Sequence, residues 1–433
     1  MDAVSLKATF TQGDNTAPKY LEALLAPDMV RYRVEGREVV LDFRLRRRYE
    51  IDQAGAVSDL SLFSDIGFRD VELPNREHIR GVMAAGGAKE ATEFSPLRSE
   101  HNLGITRSTL RADPIQTTLV EGTGAGDRQI SMQRNAATTS YQCGARRLFE
   151  HSNDGYACDP ALLRRFVQLL KYRFGGHPLI LDQMQQSGLI PRDLRYFSFV
   201  PTKAETDAPS LQVTSCEPAA PMPMSLVGLS PKAPDAASDA IDRALFCVSQ
   251  TAPLTEVDVQ QRLDGAIDAL TGGNALHGVL AFVGLTFEST AGGSPALVNA
   301  LRGLRDPNAK AVLSVATRPP RDATEARDAI EVCESTRRHA GAWAYVVMTL
   351  EANLRCGFGE RREAIALLTD AIAANPHHAG GLKDLADLLL AAYDMRRAWQ
   401  CWDEARRLCP NHPLLAGVTE REEALVAAHP GYF

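Results

Sequence analysis

Cys143, His151 and Asp154 fall within a twelve-residue window, and a thiol, an imidazole and a carboxylate are the groups from which an activated nucleophile is built. In such a site the imidazole takes the thiol proton while the carboxylate orients the ring, so the three side chains must converge in space. Closeness in sequence does not supply that convergence. A turn with a structural cysteine is the stronger reading, and the three residues stand as the catalytic candidates if a cleft collects them. Gly122-Thr-Gly-Ala-Gly126 has the glycine density of a phosphate loop, but the following Arg128-Gln-Ile-Ser-Met reads as strand. A phosphate would find no helix N-terminus there, so a hairpin loop is expected. His377-His378 and His412 follow Pro376 and Pro410, where polar turn residues belong. With no Cys-x-x-Cys and no Cys/His ligand spacing, neither a metal nor another cofactor is expected. Glu150, His177 and Asp182 obey no spacing rule that would put them in one cleft.

The elements that must position these residues are bounded first by composition. The chain has 433 residues, 45% hydrophobic and 23% charged, with a formal net charge of -7. That is a globular composition with room for two or three domains, and its charge gives no reason to expect a nucleic-acid partner. The one basic run, Arg44-Leu-Arg-Arg-Arg48, lies between Asp42 and Glu50 and reads as a solvated strand edge rather than a phosphate site. The N-terminal residues lack a charged segment followed by an apolar one, and no stretch of about 18 apolar residues exists to span a membrane. A cytoplasmic protein is expected, the alternative being an exported one whose signal has been removed. Eight cysteines are present. Cys401 and Cys409, on one expected helix, would stand about 12 Å apart, too far to bridge. Cys143 with Cys158 and Cys216 with Cys247 are the local pairs an oxidising compartment would allow.

Residues 1–145 read as mainly strand. From Met29 to Leu45 apolar and polar residues alternate about Glu35-Gly36, which predicts two antiparallel strands and a hairpin turn. Further strands are expected at 60–68, 106–110, 117–121 and 128–133, making a small β-sandwich or half-barrel. Asp159-Pro160 opens a helix with Leu162, Leu163, Phe166, Val167, Leu169 and Leu170 on its apolar face, stopped by Gly175-Gly176. A second helix is expected at 181–187. Residues 201–238, with Pro218, Pro221, Pro223, Pro231 and Pro234, read as a linker or irregular crossing. Helical periodicity then runs to the end. The stretch from Leu276 to Phe287 is apolar on most sides and should be buried.

Pro376 and Pro410 are 34 residues apart, and the same offset relates Ala364 to Ala398, Leu368 to Trp402 and Ala371 to Ala405. A looser copy at an offset of 35 aligns Arg327-Asp-Ala-Ile-Glu-Val-Cys with Arg362-Glu-Ala-Ile-Ala-Leu-Leu. Small residues let two helices approach while a large one fills the groove beside them. This pattern resembles tetratricopeptide (TPR) repeats, helix-turn-helix units that bury their apolar faces by stacking. Glu351 and Arg355 stand where that family has Leu and an aromatic.

Alternation, composition and helical periodicity predict an α+β chain: an N-terminal antiparallel β-rich domain (1–200), a Pro/Ala/Ser-rich linker (201–253) and a helical C-terminal part (254–433). The resemblance implies that this last part is a TPR-like α-solenoid, with residues 419–428 as a polar capping helix. It further implies a concave face presenting Thr349, Asn353, Lys383 and Asp387 to a polypeptide partner. Neither first helix pairs a Lys with an Asn, so capture of a chaperone's C-terminal carboxylate is not expected. A binding or scaffold protein is the expected function. The alternative is a hydrolase with its site at the junction of the two domains.

Overall fold

The computed structural model describes residues 3–12, 16–86, 96–106, 117–122, 128–198, 208–220, 229–290 and 294–433. The fold is α+β, an antiparallel-rich sheet followed by a run of helices. Two units divide it: Met1–Lys232 with Glu422–Phe433, and Ala233–Arg421. No helix among the described residues is long and apolar enough to cross a membrane.

The first unit begins with a meander of β1 (Ala3–Thr11), β2 (Lys19–Ala26), β3 (Met29–Val34), β4 (Arg37–Asp42), β5 (Arg47–Ile51) and β6 (Ala56–Ser61). Val34 pairs with Arg37 across the β3–β4 turn. Glu35 and Gly36 both take positive φ, 52° and 73°, the conformation that keeps a two-residue hairpin in register with the strand twist. Helices α1 (Leu62–Ala85) and α2 (Pro96–Leu103) follow, then β7 (Thr118–Glu121), β8 (Gln129–Arg134), β9 (Thr138–Cys143), β10 (Arg146–Ser152) and β11 (Gly155–Ala157). The unit continues through α3 (Pro160–Arg173), α4 (Pro178–Gln186), β12 (Leu189–Pro191), β13 (Asp193–Tyr196), β14 (Ser210–Ala219) and β15 (Ser230–Pro231).

Among the described residues one 13-stranded sheet runs in the order β15-β6-β5-β4-β3-β2-β1-β14-β13-β10-β9-β8-β7. This replaces the expected small sandwich. The cause is β14, which lies inside the stretch read as linker. It pairs with β1 on one side and β13 on the other, and so joins two meanders into a single layer. Leu211 and Val213 alternate into the core, a period-2 signal that the later prolines obscured. A second correction concerns residues 62–68, which are the start of α1 and not strand. Ser61 caps that helix by accepting from the Phe63 N–H, and Asp65 lies in its first turn, both features of a helix N-terminus. The strand expected at 106–110 and the loop at 122–126 fall largely outside the described residues.

Helix α3 supplies the core against this sheet. Leu163, Phe166, Val167 and Leu170 meet Leu6, Ala8 and Phe10 of β1 and Leu21, Ala23 and Leu25 of β2 in one cluster, each strand contributing alternate residues. Asp159 caps α3 through the Ala161 N–H, with Pro160 at the first helical position. The basic run is paired: Arg47 with Asp59, and Arg48 with Glu50 and Asp65.

The second unit holds α5 (Ala240–Ser249), α6 (Glu256–Thr271), α7 (Ala275–Glu288), α8 (Pro295–Arg302), α9 (Pro307–Thr317), α10 (Ala323–Arg337), α11 (Ala344–Gly357), α12 (Arg361–Ala374), α13 (Ala379–Ala391), α14 (Met395–Leu408) and the start of α15 (Ala416–Ala428). Helices α9–α10, α11–α12 and α13–α14 pack as successive pairs. Ala364, Leu368 and Ala371 of α12 and their 34-residue counterparts Ala398, Trp402 and Ala405 of α14 are all buried. The offset therefore marks equivalent packing positions. Helix α7 is the buried apolar helix the sequence implied, and it packs on α9, α11 and α13, the first helix of each pair, as well as on α6.

Candidate functional site

The face expected to bind a partner is formed by α11 and α13, and the structure divides its four candidate residues. Asn353, Lys383 and Asp387 come together through a residue the sequence reading passed over, Asp384. The Asn353 amide donates to Asp384 Oδ2 at 2.9 Å, and Lys383 Nζ lies 3.9 Å from the other Asp384 oxygen and 2.7 Å from Asp387. Asn353 and Asp387 are exposed and the other two half-buried. Burial raises the Asp384 carboxyl above its ordinary range, against the pull of the Asn353 bond. The result is one polar strip across two successive first helices. Nothing in the local spacing points to Asp384, because its bond to Asn353 crosses between helices.

Thr349 does not belong to this strip. It is fully buried, its hydroxyl donating to the Tyr345 carbonyl at 2.9 Å and lying 2.6 Å from His378 Nε2. The Thr349 hydroxyl has its single proton committed to Tyr345, so His378 donates from Nε2. The reason for the burial is α7. Gly284 sits where an added Cβ would stand 2.5 Å from the Tyr345 hydroxyl, and Gly380 where one would stand 2.6 Å from Phe287. Bare backbone at these two positions lets α7 close on α11 and α13. Phe287 and Tyr345 both meet the His378 ring edge to face, with centroids 5.1 and 5.2 Å away.

At the end of α7, Glu288 is buried and receives hydrogen bonds from the Tyr345 hydroxyl and the Asn375 amide, each at 2.5 Å, together with an ion pair from Arg262. Burial, then the Glu288 charge, hold the Tyr345 phenol protonated. The carboxylate is satisfied on every side and ties α6, α7 and α11 to the turn before α13. These apolar halves of the first helices are thus covered by the chain itself, and the polar strip is what remains.

In the sheet unit the catalytic candidates stay apart. Cys143 pairs with Arg146 beside the β9–β10 turn, whereas His151 pairs with Thr139 four ladder positions away, about 13 Å at ~3.3 Å per residue. His151 is buried, with Nδ1 donating to the Ser152 carbonyl at 2.8 Å and Tyr141 at 3.4 Å from Nε2. Burial holds its pKa below the usual value, so the ring is neutral. Asp154 pairs with Arg192 at 3.2 Å. Cys143, His151 and Asp154 are therefore not assembled as thiol, base and orienting acid. Glu150 pairs with Arg147, His177 lies 3.2 Å from Glu100, and Asp182 is exposed beside Lys171. His412 donates to the Thr286 carbonyl at 3.1 Å and accepts from the Leu414 N–H. Cys158, Cys216, Cys247, Cys333, Cys356, Cys401 and Cys409 are free thiols, so neither local disulfide forms. Among the described residues no group of three or more His, Cys, Asp or Glu side chains is placed to hold a metal ion. No family model, curated protein or solved structure matches the chain.

Proposed function

We propose that the protein is a binding or scaffold protein that engages a polypeptide through the strip of Asn353, Asp384, Lys383 and Asp387. One observation carries this reading: the strip is continuous and partly exposed, on equivalent helices of adjacent hairpins, while the apolar half of the same face is filled by α7. The resemblance of the 34-residue pattern to TPR repeats supports it, since that family commonly binds polypeptides on its first helices. An extended partner segment would take its backbone bonds from the Asn353 amide and place charged side chains against Lys383 and Asp387. The apolar contribution to affinity is small, because α7 already occupies the surface that would supply it. A transient, salt-sensitive complex follows.

The test is affinity capture from an extract of the source organism with the wild type and with Asn353→Ala combined with Lys383→Glu. A specific partner should fall at least about tenfold in the variant, the effect of about 1.4 kcal/mol, while far-UV circular dichroism stays unchanged. Equal capture by both proteins sinks the reading.

A further inference from the structure

Residues 429–433, His-Pro-Gly-Tyr-Phe, belong to the sheet unit, where one face of α3 grips their backbone. Arg164 donates to the Pro430 carbonyl at 3.2 Å and to the Phe433 carbonyl at 2.7 Å, and Gln168 donates to the latter at 3.1 Å. Lys171 reaches the Gly431 carbonyl at 3.5 Å and the Tyr172 hydroxyl donates to the Tyr432 carbonyl at 3.3 Å. Positions 164, 168, 171 and 172 are i, i+4, i+7 and i+8, one stripe of a helix. Four successive carbonyls are therefore read by side chains while the segment turns through a short 3-10 helix at Pro430–Tyr432, a grip on the backbone that does not depend on side-chain identity.

Two aromatic side chains add the selectivity. Tyr432 is buried, its hydroxyl donating to the Gly104 carbonyl at 2.9 Å and accepting from Arg69 at 3.0 Å. Arg69 and Lys171 lie 5.3 and 5.6 Å from its ring centroid, within cation–π range. Phe433 packs on Phe63 with centroids 5.0 Å apart, and Arg46 covers both rings. Gly104, at φ 68°, has room for the Tyr432 hydroxyl only because it lacks a Cβ, which would stand 2.5 Å away; a Cβ on Gly431 would meet Lys171 Nζ at the same distance. Backbone carbonyls held by side chains, with two pockets at fixed spacing, are how docking sites hold short peptides.

We propose that the α3 stripe with the Gly104 and Phe63 pockets is a peptide-docking site for a Gly-Tyr-Phe sequence, and that residues 429–433 of this chain occupy it as a reversible latch. The segment makes no strand pairing and is held by side chains, including the pair of His429 with Asp70 at 3.0 Å, so its release would leave the sheet ladder intact. The proposal stands independently of the strip on α11 and α13.

Two measurements test it on the full chain. Binding of a fluorescein-labelled His-Pro-Gly-Tyr-Phe peptide is followed by anisotropy. Tyr432→Ala combined with Phe433→Ala removes the competing segment and should bind the peptide at least tenfold more tightly than the wild type. Adding Arg164→Ala should reverse that gain. Hydrogen exchange on the wild type reads the latch without any substitution. The amides of Tyr432 and Phe433 should exchange at least a hundredfold faster than those at the centre of β1 and β14. Exchange as slow as the central strands, or a folded double variant that binds the peptide no better than the wild type, overturns the proposal.

Discussion

His378 and His101 sit fully buried, one in each unit, and burial pushes both imidazoles down to about 3, helped by His412 beside the first and His177 beside the second. Their folded values lie below the ordinary value near 6.5, so between those limits the unfolded chain binds more protons than the native one. Stability drawn from these neutral rings is complete above about pH 6.5 and is lost as pH falls toward about 3, at up to about 1.4 kcal/mol per pH unit for each ring. Urea unfolding at pH 7 and at pH 4.5 should show a loss of roughly 2 to 3 kcal/mol per histidine. In His378→Phe the helical unit should lose most of its share of that dependence, and an unchanged midpoint in the wild type would contradict this account. Glu288 tests the same scale differently. In Glu288→Ala, Arg262, Tyr345 and Asn375 keep their donors and lose their acceptor, and breaking such a buried pair costs about 3 to 5 kcal/mol. Thermal melting of the helical unit checks it.

At the scale of elements, the contact of α7 with α11 and α13 depends on two glycines that a helix would otherwise exclude. Alanine favours an exposed helix interior by about 1 kcal/mol over glycine. At Gly284 and Gly380 that preference should reverse, because the added methyl meets the Tyr345 hydroxyl or the Phe287 ring and overpacking costs about 1 to 3 kcal/mol. Gly284→Ala and Gly380→Ala should each lower the unfolding midpoint, whereas Gly265→Ala, where nothing lies within 4 Å, should not. The burial of α7 was legible in sequence because an all-apolar helix has only one stable environment. Its position was not, since a glycine in a helix does not announce which neighbour it admits. The same divide separates the Glu35-Gly36 hairpin from β14. A two-residue turn is written locally, but β14 is fixed by pairing residues such as Phe10 and Leu211, some two hundred positions apart. Asp384 escapes a sequence reading for that reason, and the repeat resemblance puts Thr349 on the binding face because a repeat pattern identifies a face without saying what covers it.

For the whole molecule, the chain leaves the sheet unit at Lys232 and returns to it at Glu422, so along the chain the helical unit is an insertion in the sheet unit. In the sheet unit Cys143, His151 and Asp154 stand apart, while the helical unit holds a polar strip between packed helices. Partner capture through that strip should weaken with added salt, since its outer residues are charged and exposed. The most direct measurement compares partner capture by the wild type with capture by Asn353→Ala combined with Lys383→Glu, at matched folding. A loss of at least about tenfold is the result expected of an interaction strip; undiminished capture by the variant contradicts it.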